Sequence, residues 1–428
     1  MNKKILDYTL SNILLKNKRF VLYEALGKDG TPCSIKISGP RYSKITIPDQ
    51  ISNDHKINSK ISSPSILKQH KLIKSRANYV IVCDAISGVS IKEYIENQTK
   101  TINLKRIIKN LELAINLCKA LINLHSKGYL HLNFSSSNIL RLPNNSVQII
   151  DLQHCSPIRR LSSAQNNLNL QNISLSHMSP ELSEVIGGTP DQKSDYYSLG
   201  ILLYALFTGS LPFSGYNKRE WYHNHIAKVP VAPNLKNKHL PHEVSNIIEK
   251  LLSKDTQKRY QSGIGILKDL EKCYSELSDN KKIDYFIPGT FDTNEAFSIS
   301  NKLYGRTNEI SILKNCIFER NSTSKVVFIG GRKGSGKSTL ISTIAPDILK
   351  ANGLLCKSSF LLSSEKQPYS GIFDAVRGII RQVQSEDEGK INALKITLND
   401  LLGENINVLN ERIPELKFLL PEDYRTPP

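Results

Sequence analysis

The sequence predicts two domains of different fold class, an α+β domain followed by an α/β domain. Short β-like runs occur at residues 20–25 and 33–37, and residues 103–125 then carry apolar side chains at helical spacing. A polar, irregular segment follows at residues 277–300. Beyond it the chain reads strand, loop, helix, strand, helix, which is typical of a parallel α/β sheet. The predicted domains are residues 1–276 and 303–428, joined by a linker at 277–302.

Composition favours a soluble protein without a nucleic-acid interface. The 428 residues fit two or three domains, and 57 Lys and Arg against 39 Asp and Glu give a formal net charge of +18. The excess lysine is spread thinly along the chain, with no basic stripe interleaved with aromatics, so we expect a solvated surface. No apolar run reaches the length of a membrane span, and the seven cysteines form no CxxC pair. We therefore expect a cytoplasmic protein with reduced thiols and no membrane span.

A glycine-rich loop in the second domain has the pattern of a phosphate-binding loop. Residues 331–338 match GxxxxGK[ST], the Walker A motif, between an apolar run at 326–329 and a helix-like run at 340–349. Glycines let backbone NH groups turn toward one anion, the lysine reaches the β and γ phosphates, and the serine hydroxyl lies on Mg²⁺. A glycine-rich surface turn is the alternative. The pattern predicts ATP and Mg²⁺ bound by Gly331, Gly334, Gly336, Lys337, Ser338 and Thr339, with Ser338 on the metal.

The first domain contains a stretch similar to the active site of protein kinases. Residues 128–140 read GYLHLNFSSSNIL, and residues 146–152 read SVQIIDL. This resembles the kinase catalytic loop HxDxxxxN and the metal-binding Asp that follows it. Further landmarks stand in the family's order: Ile35 and Lys36, Ser179 to Glu181, Asp195 to Gly200, Leu211 to Phe213, and Arg259 with Tyr260. The resemblance implies a two-lobed α+β protein-kinase-like domain.

Both halves together resemble one family of fusion proteins. HIAK at 225–228, KRYQ at 258–261 and YGR at 304–306 join the kinase landmarks and the phosphate loop. This order is similar to the N-terminal part of bacterial fusions of serine/threonine kinase, AAA-type ATPase and sensor histidine kinase. The resemblance implies signalling proteins as partners, with a histidine-kinase module among them. It also implies that the α/β P-loop NTPase domain is incomplete here, because the family's acidic strand lies beyond residue 428.

Several departures from the kinase pattern predict impaired catalysis. The position of the catalytic Asp is Asn133, a neutral amide that cannot accept a proton, and the phosphate-contacting Lys is replaced by Ser135. Loss of a general base typically lowers the rate by about 10² to 10⁴. The loop that usually reads GxGxxG is LKNKRF at residues 15–20, without glycine.

The expected helix partner of Lys36 is also altered. An ungapped alignment places the acidic helix residue at Lys56, although Asp54 could substitute after a small shift. By the resemblance, Lys36 would bind nucleotide, and Asn138 and Asp151 would hold Mg²⁺. The alternatives are a strand-surface lysine, a turn asparagine and a loop cap. The resemblance also implies internal supports of the large lobe, with Asp195 accepting backbone NH bonds and Glu181 pairing with Arg259.

Hydrolysis by the P-loop domain is not expected. ATP hydrolysis needs an acidic residue after an apolar strand, and the apolar runs after Thr339 do not end in such acids. Asp374 and Glu415 suit helix surfaces, and the chain is expected to be a fragment of a longer protein. The sequence therefore predicts a signalling module with a pseudokinase domain and an ATP-binding domain. The alternatives are an active serine/threonine kinase that tolerates Asn133 and a scaffold that binds no nucleotide.

Overall fold

The computed structural model divides into two compact units, which we describe separately. The first unit is Met1–Leu182, Gly188–Pro212 and Pro230–Ser298, and the second is Ser183–Gly187, Phe213–Val229 and Ile299–Pro428. The residues described are 3–17, 19–38, 48–75, 78–98, 103–158, 172–183, 189–292, 305–318, 325–332, 334–351, 353, 356, 369–383, 396, 413 and 416.

The first unit begins with a six-stranded antiparallel sheet in the order β1-β2-β3-β4-β6-β5. The predicted strands at 20–25 and 33–37 are confirmed as β3 and β4. One helix, α1, follows β4 in the chain, so this part is strand-rich, as expected. The bounds are β1 Lys3–Ile5, β2 Tyr8–Lys16, β3 Val21–Leu26, β4 Pro32–Ser38, α1 Pro48–Asn58, β5 Gln69–Ser75 and β6 Asn78–Cys83.

Alternation along the strands sends apolar side chains to both faces of this sheet. Leu22 and Ile81 join a buried cluster on one face that also contains Ile51 of α1. Ile35 and Val80 belong to a second buried cluster. A strand residue and its neighbour point to opposite faces, so β3, β4 and β6 are held from both sides. Lys36, between two buried isoleucines of β4, is thereby turned toward the face that carries α1.

The second part of the first unit is mainly helical, which confirms the two-lobed α+β prediction. The predicted helix at 103–125 is α3, capped by Asn103, whose side chain accepts a hydrogen bond from the NH of Arg106. Short strands lie between α3 and α4 in the chain, and the segment similar to the kinase catalytic loop connects β8 to β9. The bounds are β7 Val89–Ser90, α2 Ile91–Glu96, α3 Leu104–Ser126, β8 Tyr129–Leu130, β9 Ile139–Arg141, β10 Val147–Ile149, β11 Ser156–Pro157, α4 Gln192–Thr208, α6 Pro233–Lys236, α7 His242–Leu251 and α8 Gly263–Asn280.

The described part of the predicted linker is ordered against the first unit. Helix α8 continues to Asn280, and Ile283 is buried. The Asp292 carboxylate accepts hydrogen bonds from the backbone NH groups of Gln261 and Ser262, at 2.7 and 2.8 Å. Residues 277–292 are therefore attached to the kinase-like part, whereas residues 293–302 lie outside the described residues. The domain boundaries themselves stay a prediction.

The second unit contains helices, of which α9 and α10 adjoin the phosphate loop. The predicted helix at 340–349 is α10, which begins earlier, at Lys337. The run at 326–329 is not paired as a strand, and Val326 and Phe328 are exposed. A strand needs a neighbour for its backbone NH and carbonyl groups, and no described segment supplies one. The bounds are α5 Lys218–Ile226, α9 Thr307–Phe318, α10 Lys337–Lys350 and α11 Ser370–Val383. Among the described residues, no helix has the length and apolarity to cross a membrane.

Candidate functional site

The turn between β2 and β3 takes the place of the kinase glycine loop. An asparagine side chain shapes it: the Asn17 Oδ1 accepts hydrogen bonds from the backbone NH groups of Arg19 and Phe20, at 2.8 and 2.9 Å. The NH of Asn17 also donates to the carbonyl of Phe20. An asparagine side chain can mimic a backbone turn in this way, so the turn closes without glycine. Its inward-facing residues, Arg19 and Phe20, are buried.

A buried ion pair connects β4 to α1. The Lys36 ammonium pairs with the Asp54 carboxylate, so the helix partner is Asp54 and the alignment with Lys56 is wrong. Lys56 is exposed on the opposite side of the same helix. Asp54 also accepts from Gln69 Nε2 at 2.9 Å and from the NH of Leu152 at 3.1 Å. Helix geometry explains this pairing. Positions 54 and 56 lie about 200° apart around a helix, so when Asp54 faces Lys36 the side chain of Lys56 points away from it.

The same lysine reaches the metal-binding position of the resembled family. Lys36 Nζ donates to the carbonyl of Ile150 at 3.1 Å and lies 3.4 Å from Asp151 Oδ1. Burial alone would lower the pKa of Lys36, but the carboxylates of Asp54 and Asp151 raise it. The lysine therefore stays charged between the two acids. The structure thus brings together two predicted site residues that are 115 positions apart in the chain.

Arg19 is a site residue that the sequence analysis missed. Its Nη2 lies 2.8 Å from Asp151 Oδ2 and 3.0 Å from Asn138 Oδ1. Its side chain is only 9% exposed. Burial would raise the pKa of Asp151, but Arg19 and Lys36 overcome this and hold it well below its usual range. The only sequence signal was a basic residue next to an apolar one in LKNKRF, which does not show where the side chain points.

The catalytic loop places Asn133 in a structural contact. The Asn133 Oδ1 accepts a hydrogen bond from the NH of Ser174 at 2.9 Å, and its own carbonyl accepts from Asn138 Nδ2 at 2.9 Å. Ser135 is fully buried, with its hydroxyl 3.3 Å from that of Ser137. The amide at the base position is therefore used to hold the segment around Ser174, a second residue that the sequence analysis did not identify.

A carboxylate beneath the loop fixes its backbone. The Asp195 side chain accepts from the NH groups of His131 and Leu132, each at 2.8 Å, and lies 2.8 Å from His125 Nε2. Leu132 has a positive φ of 59°, which is unfavourable for a leucine. The two charge-assisted hydrogen bonds offset that strain, because each is worth about 1.5–3 kcal/mol. The predicted support by Asp195 is confirmed.

The second predicted support of the large lobe also forms. Arg259 makes a bidentate pair with Glu181, with N–O distances of 2.7 and 3.0 Å, and Ser194 Oγ donates to the same carboxylate at 2.7 Å. Burial raises the pKa of Glu181, and Arg259 with its hydrogen bonds lowers it below its usual range. Each remaining guanidinium NH meets a carbonyl, including those of Ser253 and Lys193.

The phosphate-loop sequence in the second unit leads directly into α10, which begins at Lys337. Lys337 Nζ donates to the carbonyls of Gly331 and Arg332, both at 2.8 Å, so its ammonium lies across the loop. A Cβ at Gly331 would lie 2.7 Å from Ser335 Oγ. Gly334 and Gly336 have φ of 87° and 86°, which glycine adopts without strain. These residues fit a triphosphate, whose oxygens would replace the two carbonyls as partners of the lysine.

A cavity of about 270 Å³ adjoins this loop within the second unit. It is lined by apolar residues of α9 and α10 and by residues of the loop itself, and Arg306 stands at one side with its guanidinium on Glu309. Of the predicted loop residues, Ser338 and Thr339 lie in the first turn of α10. The side chains of Asp374 and Glu415, which we expected on helix surfaces, lie outside the described residues.

These two sites define a chain with a kinase-type cleft and a separate phosphate loop, and the comparisons with known proteins agree. The protein kinase domain model matches residues 21–268, and the AAA ATPase domain model matches residues 302–423. The first match covers more than half of the chain. The chain therefore belongs to the protein kinase family, and an AAA-type ATPase domain follows its kinase domain. Both families generally use ATP and a divalent metal.

Relatives with curated names include kinases of two types. Hybrid signal transduction histidine kinase G of Dictyostelium discoideum is 31% identical over 259 residues, which are 56% of this chain and 8% of that protein. Histidine protein kinase 1 of Candida albicans is 23% identical over 348 residues, 74% of this chain and 14% of its own length. Serine/threonine-protein kinase PknB of Mycobacterium tuberculosis is 27% identical over 199 residues, which are 46% of this chain and 30% of that protein. The chain spans less than a third of each relative.

Proposed function

We propose that the chain is a signalling module in which a catalytically impaired kinase domain acts through conformation or docking. The observation that carries this proposal is Asn133. An amide stands where an active kinase has its proton-accepting carboxylate, and its oxygen is bonded to the NH of Ser174. Loss of a general base typically lowers the rate by about 10² to 10⁴. The supports around Asp195 and Arg259 preserve the fold without supplying that base.

The AAA-type domain supplies the proposed nucleotide site. Lys337 and the loop NH groups would bind the ATP phosphates, and the Ser338 hydroxyl would hold Mg²⁺. The module would thus change its state when it binds nucleotide. We propose that the protein is cytoplasmic. Hydrolysis is not proposed, since no described acidic residue after Thr339 stands at a paired strand end.

The proposed partners are signalling proteins, with a histidine-kinase module among them. Support comes from two relatives that are named histidine kinases and match 56% and 74% of this chain. The relatives come from an amoeba, a yeast and a bacterium, so the bacterial origin that the resemblance implies stays a prediction.

A second candidate is an active serine/threonine kinase. It is favoured by the Lys36–Asp54 pair, which active kinases need in place. Radiolabelled transfer from ATP to the chain and to generic Ser/Thr peptides separates the two. We expect labelling at background for the wild type and for Asp151→Ala. Robust labelling that disappears in Asp151→Ala would establish the active kinase and exclude our proposal.

The third candidate, a scaffold that binds no nucleotide, is separated by equilibrium binding of ATP to the full chain. Measurable affinity that depends on Lys337 supports the proposed module. A chain that binds no ATP would exclude the proposed nucleotide site and leave the scaffold.

A further inference from the structure

The metal-binding position of the kinase domain is enclosed by a buried cluster of four charged residues. Asp54 and Asp151 carry the negative charges, and Lys36 and Arg19 carry the positive charges. All four side chains are at most 9% exposed. Each carboxylate has its own cation: Lys36 pairs with Asp54, and Arg19 pairs with Asp151. The four formal charges therefore sum to zero without any bound ion.

Both side chains expected to hold Mg²⁺ are contacted by one nitrogen of Arg19. Its Nη2 is 2.8 Å from Asp151 Oδ2 and 3.0 Å from Asn138 Oδ1. Mg²⁺ binds such oxygens at about 2.0–2.1 Å and demands octahedral geometry. An ion placed between the same two oxygens would coincide with the guanidinium. It would also add two positive charges beside Arg19 and Lys36, at distances where like charges repel strongly in a buried site.

The turn that carries Arg19 also fills the space above Lys36. Phe20 is fully buried, and its ring centroid lies 4.2 Å from Lys36 Nζ. The Asn17 side chain, which bonds the NH groups of both residues, holds the turn in this position. The inward arginine is thus fixed by the local turn and by the packing of its neighbour, and not by the ion pair alone.

We infer that Arg19 is a built-in cation that replaces Mg²⁺ in the kinase domain and closes its metal site. The residues here do not fit the metal, in contrast to the expectation for Asn138 and Asp151. The inference deepens the proposed function, because it gives a physical reason for impaired phosphotransfer beyond Asn133. Its test measures metal binding, whereas the tests above measure phosphotransfer and ATP affinity, so failure of either is recognised separately.

The test uses the full chain with Lys337→Ala and Ser338→Ala, which removes the phosphate-loop site, as the parent. The probe is Mn²⁺ with a non-hydrolysable ATP analogue, and free Mn²⁺ is followed by electron paramagnetic resonance. We expect no stoichiometric Mn²⁺ site in the parent. Adding Asp151→Asn should leave the isotherm unchanged, because Asp151 is not a metal ligand while Arg19 is present.

Opening the site should create metal binding. Arg19→Gln in the parent should raise Mn²⁺ affinity by about tenfold or more, because it removes a positive charge in direct contact with the ligands. That gain should disappear when Asp151→Asn is added. Arg19→Lys keeps the charge and should resemble the parent. Lys16→Gln is the matched control, since Lys16 is an exposed cation of the same turn region and its loss should change nothing.

Two results would overturn the inference. The first is a stoichiometric Mn²⁺ site in the parent that Asp151→Asn removes. The second is an Arg19→Gln chain, folded by circular dichroism, that binds no more Mn²⁺ than the parent. If the Arg19 variants fail to fold, the parent decides alone: a stoichiometric Mn²⁺ site in it contradicts the inference, and the absence of one supports it.

Discussion

The turn between β2 and β3 of the kinase domain and the phosphate loop of the AAA-type domain are built in opposite ways. In the kinase domain, the turn around Asn17 is closed by a side chain, and Arg19 points inward to occupy the charged centre. In the AAA-type domain, Gly331, Gly334 and Gly336 leave the backbone open, and Lys337 lies on loop carbonyls that an anion can displace. A loop built from glycine offers NH groups to a ligand, whereas a loop built from side chains can satisfy its own site. The same chain thus holds one self-contained site and one receptive site.

The largest expected effect comes from breaking the buried Lys36–Asp54 ion pair of the self-contained site. Asp54→Asn leaves Lys36 charged and buried with a weaker partner, and removing one member of a buried ion pair costs about 3–5 kcal/mol. We expect the free energy of unfolding of the kinase domain to fall by this amount in denaturant titrations. Lys56→Ala, on the exposed side of the same helix, should change it by less than about 0.5 kcal/mol. Equal effects of the two substitutions would contradict the pairing of Lys36 with Asp54.

The receptive site is tested by Lys337→Ala. This change removes two charge-assisted contacts to phosphate, each worth about 1.5–3 kcal/mol, so ATP affinity should fall by roughly 10²-fold or more. Isothermal titration calorimetry on the full chain measures the loss. Lys314→Ala removes a half-exposed lysine of α9 in the same unit and should leave the affinity nearly unchanged. If Lys36→Ala abolished binding and Lys337→Ala did not, the site would lie in the kinase domain.

A buried histidine of the first unit predicts that its stability falls at acid pH. Burial lowers the pKa of His177 from 6.5 to about 4. The unfolded chain takes up this proton near pH 6.5 and the folded chain does not, so stability is present at pH 7 and is lost as the pH falls toward 4. Between pH 7 and pH 5 the loss from this group is about 2 kcal/mol. The melting temperatures of wild type and His177→Gln should converge as the pH falls. A constant difference between the two melting temperatures at every pH would contradict the lowered pKa of His177.

The smallest effect is expected from restoring the catalytic carboxylate. Asn133→Asp should fold, because an aspartate oxygen can still accept the hydrogen bond from the NH of Ser174. Its phosphotransfer rate should rise by less than about tenfold, since Arg19 and Ser135 remain in the site. A general base added to a competent site gives about 10² to 10⁴. A gain of that size would show that nucleotide and metal are already held, and the kinase domain would then be a kinase with one defective residue.

Much of the architecture followed from local patterns. Helix α3 was predicted at 103–125 and runs Leu104–Ser126, because its apolar positions recur at helical spacing and Asn103 supplies a cap. The Glu181–Arg259 and Asp195 supports followed from motifs at the spacing of the kinase family. Among the described residues, the run at 326–329 has no paired strand beside it, and pairing depends on partners elsewhere in the chain.

Sequence alone therefore determined the identity of both domains and placed Asn133 in the kinase-type motif and Lys337 in the Walker A motif. Motifs carry such information because each fixes residue types at short, constant spacing. Only the tertiary structure decided that Asp54, and not Lys56, faces Lys36 and that Arg19 contacts Asp151 and Asn138. Arg19 is 119 positions from Asn138, so their contact depends on how the sheet closes over the catalytic loop. Which of several basic residues turns inward is set by that packing and by the Asn17 turn, and a linear pattern contains neither.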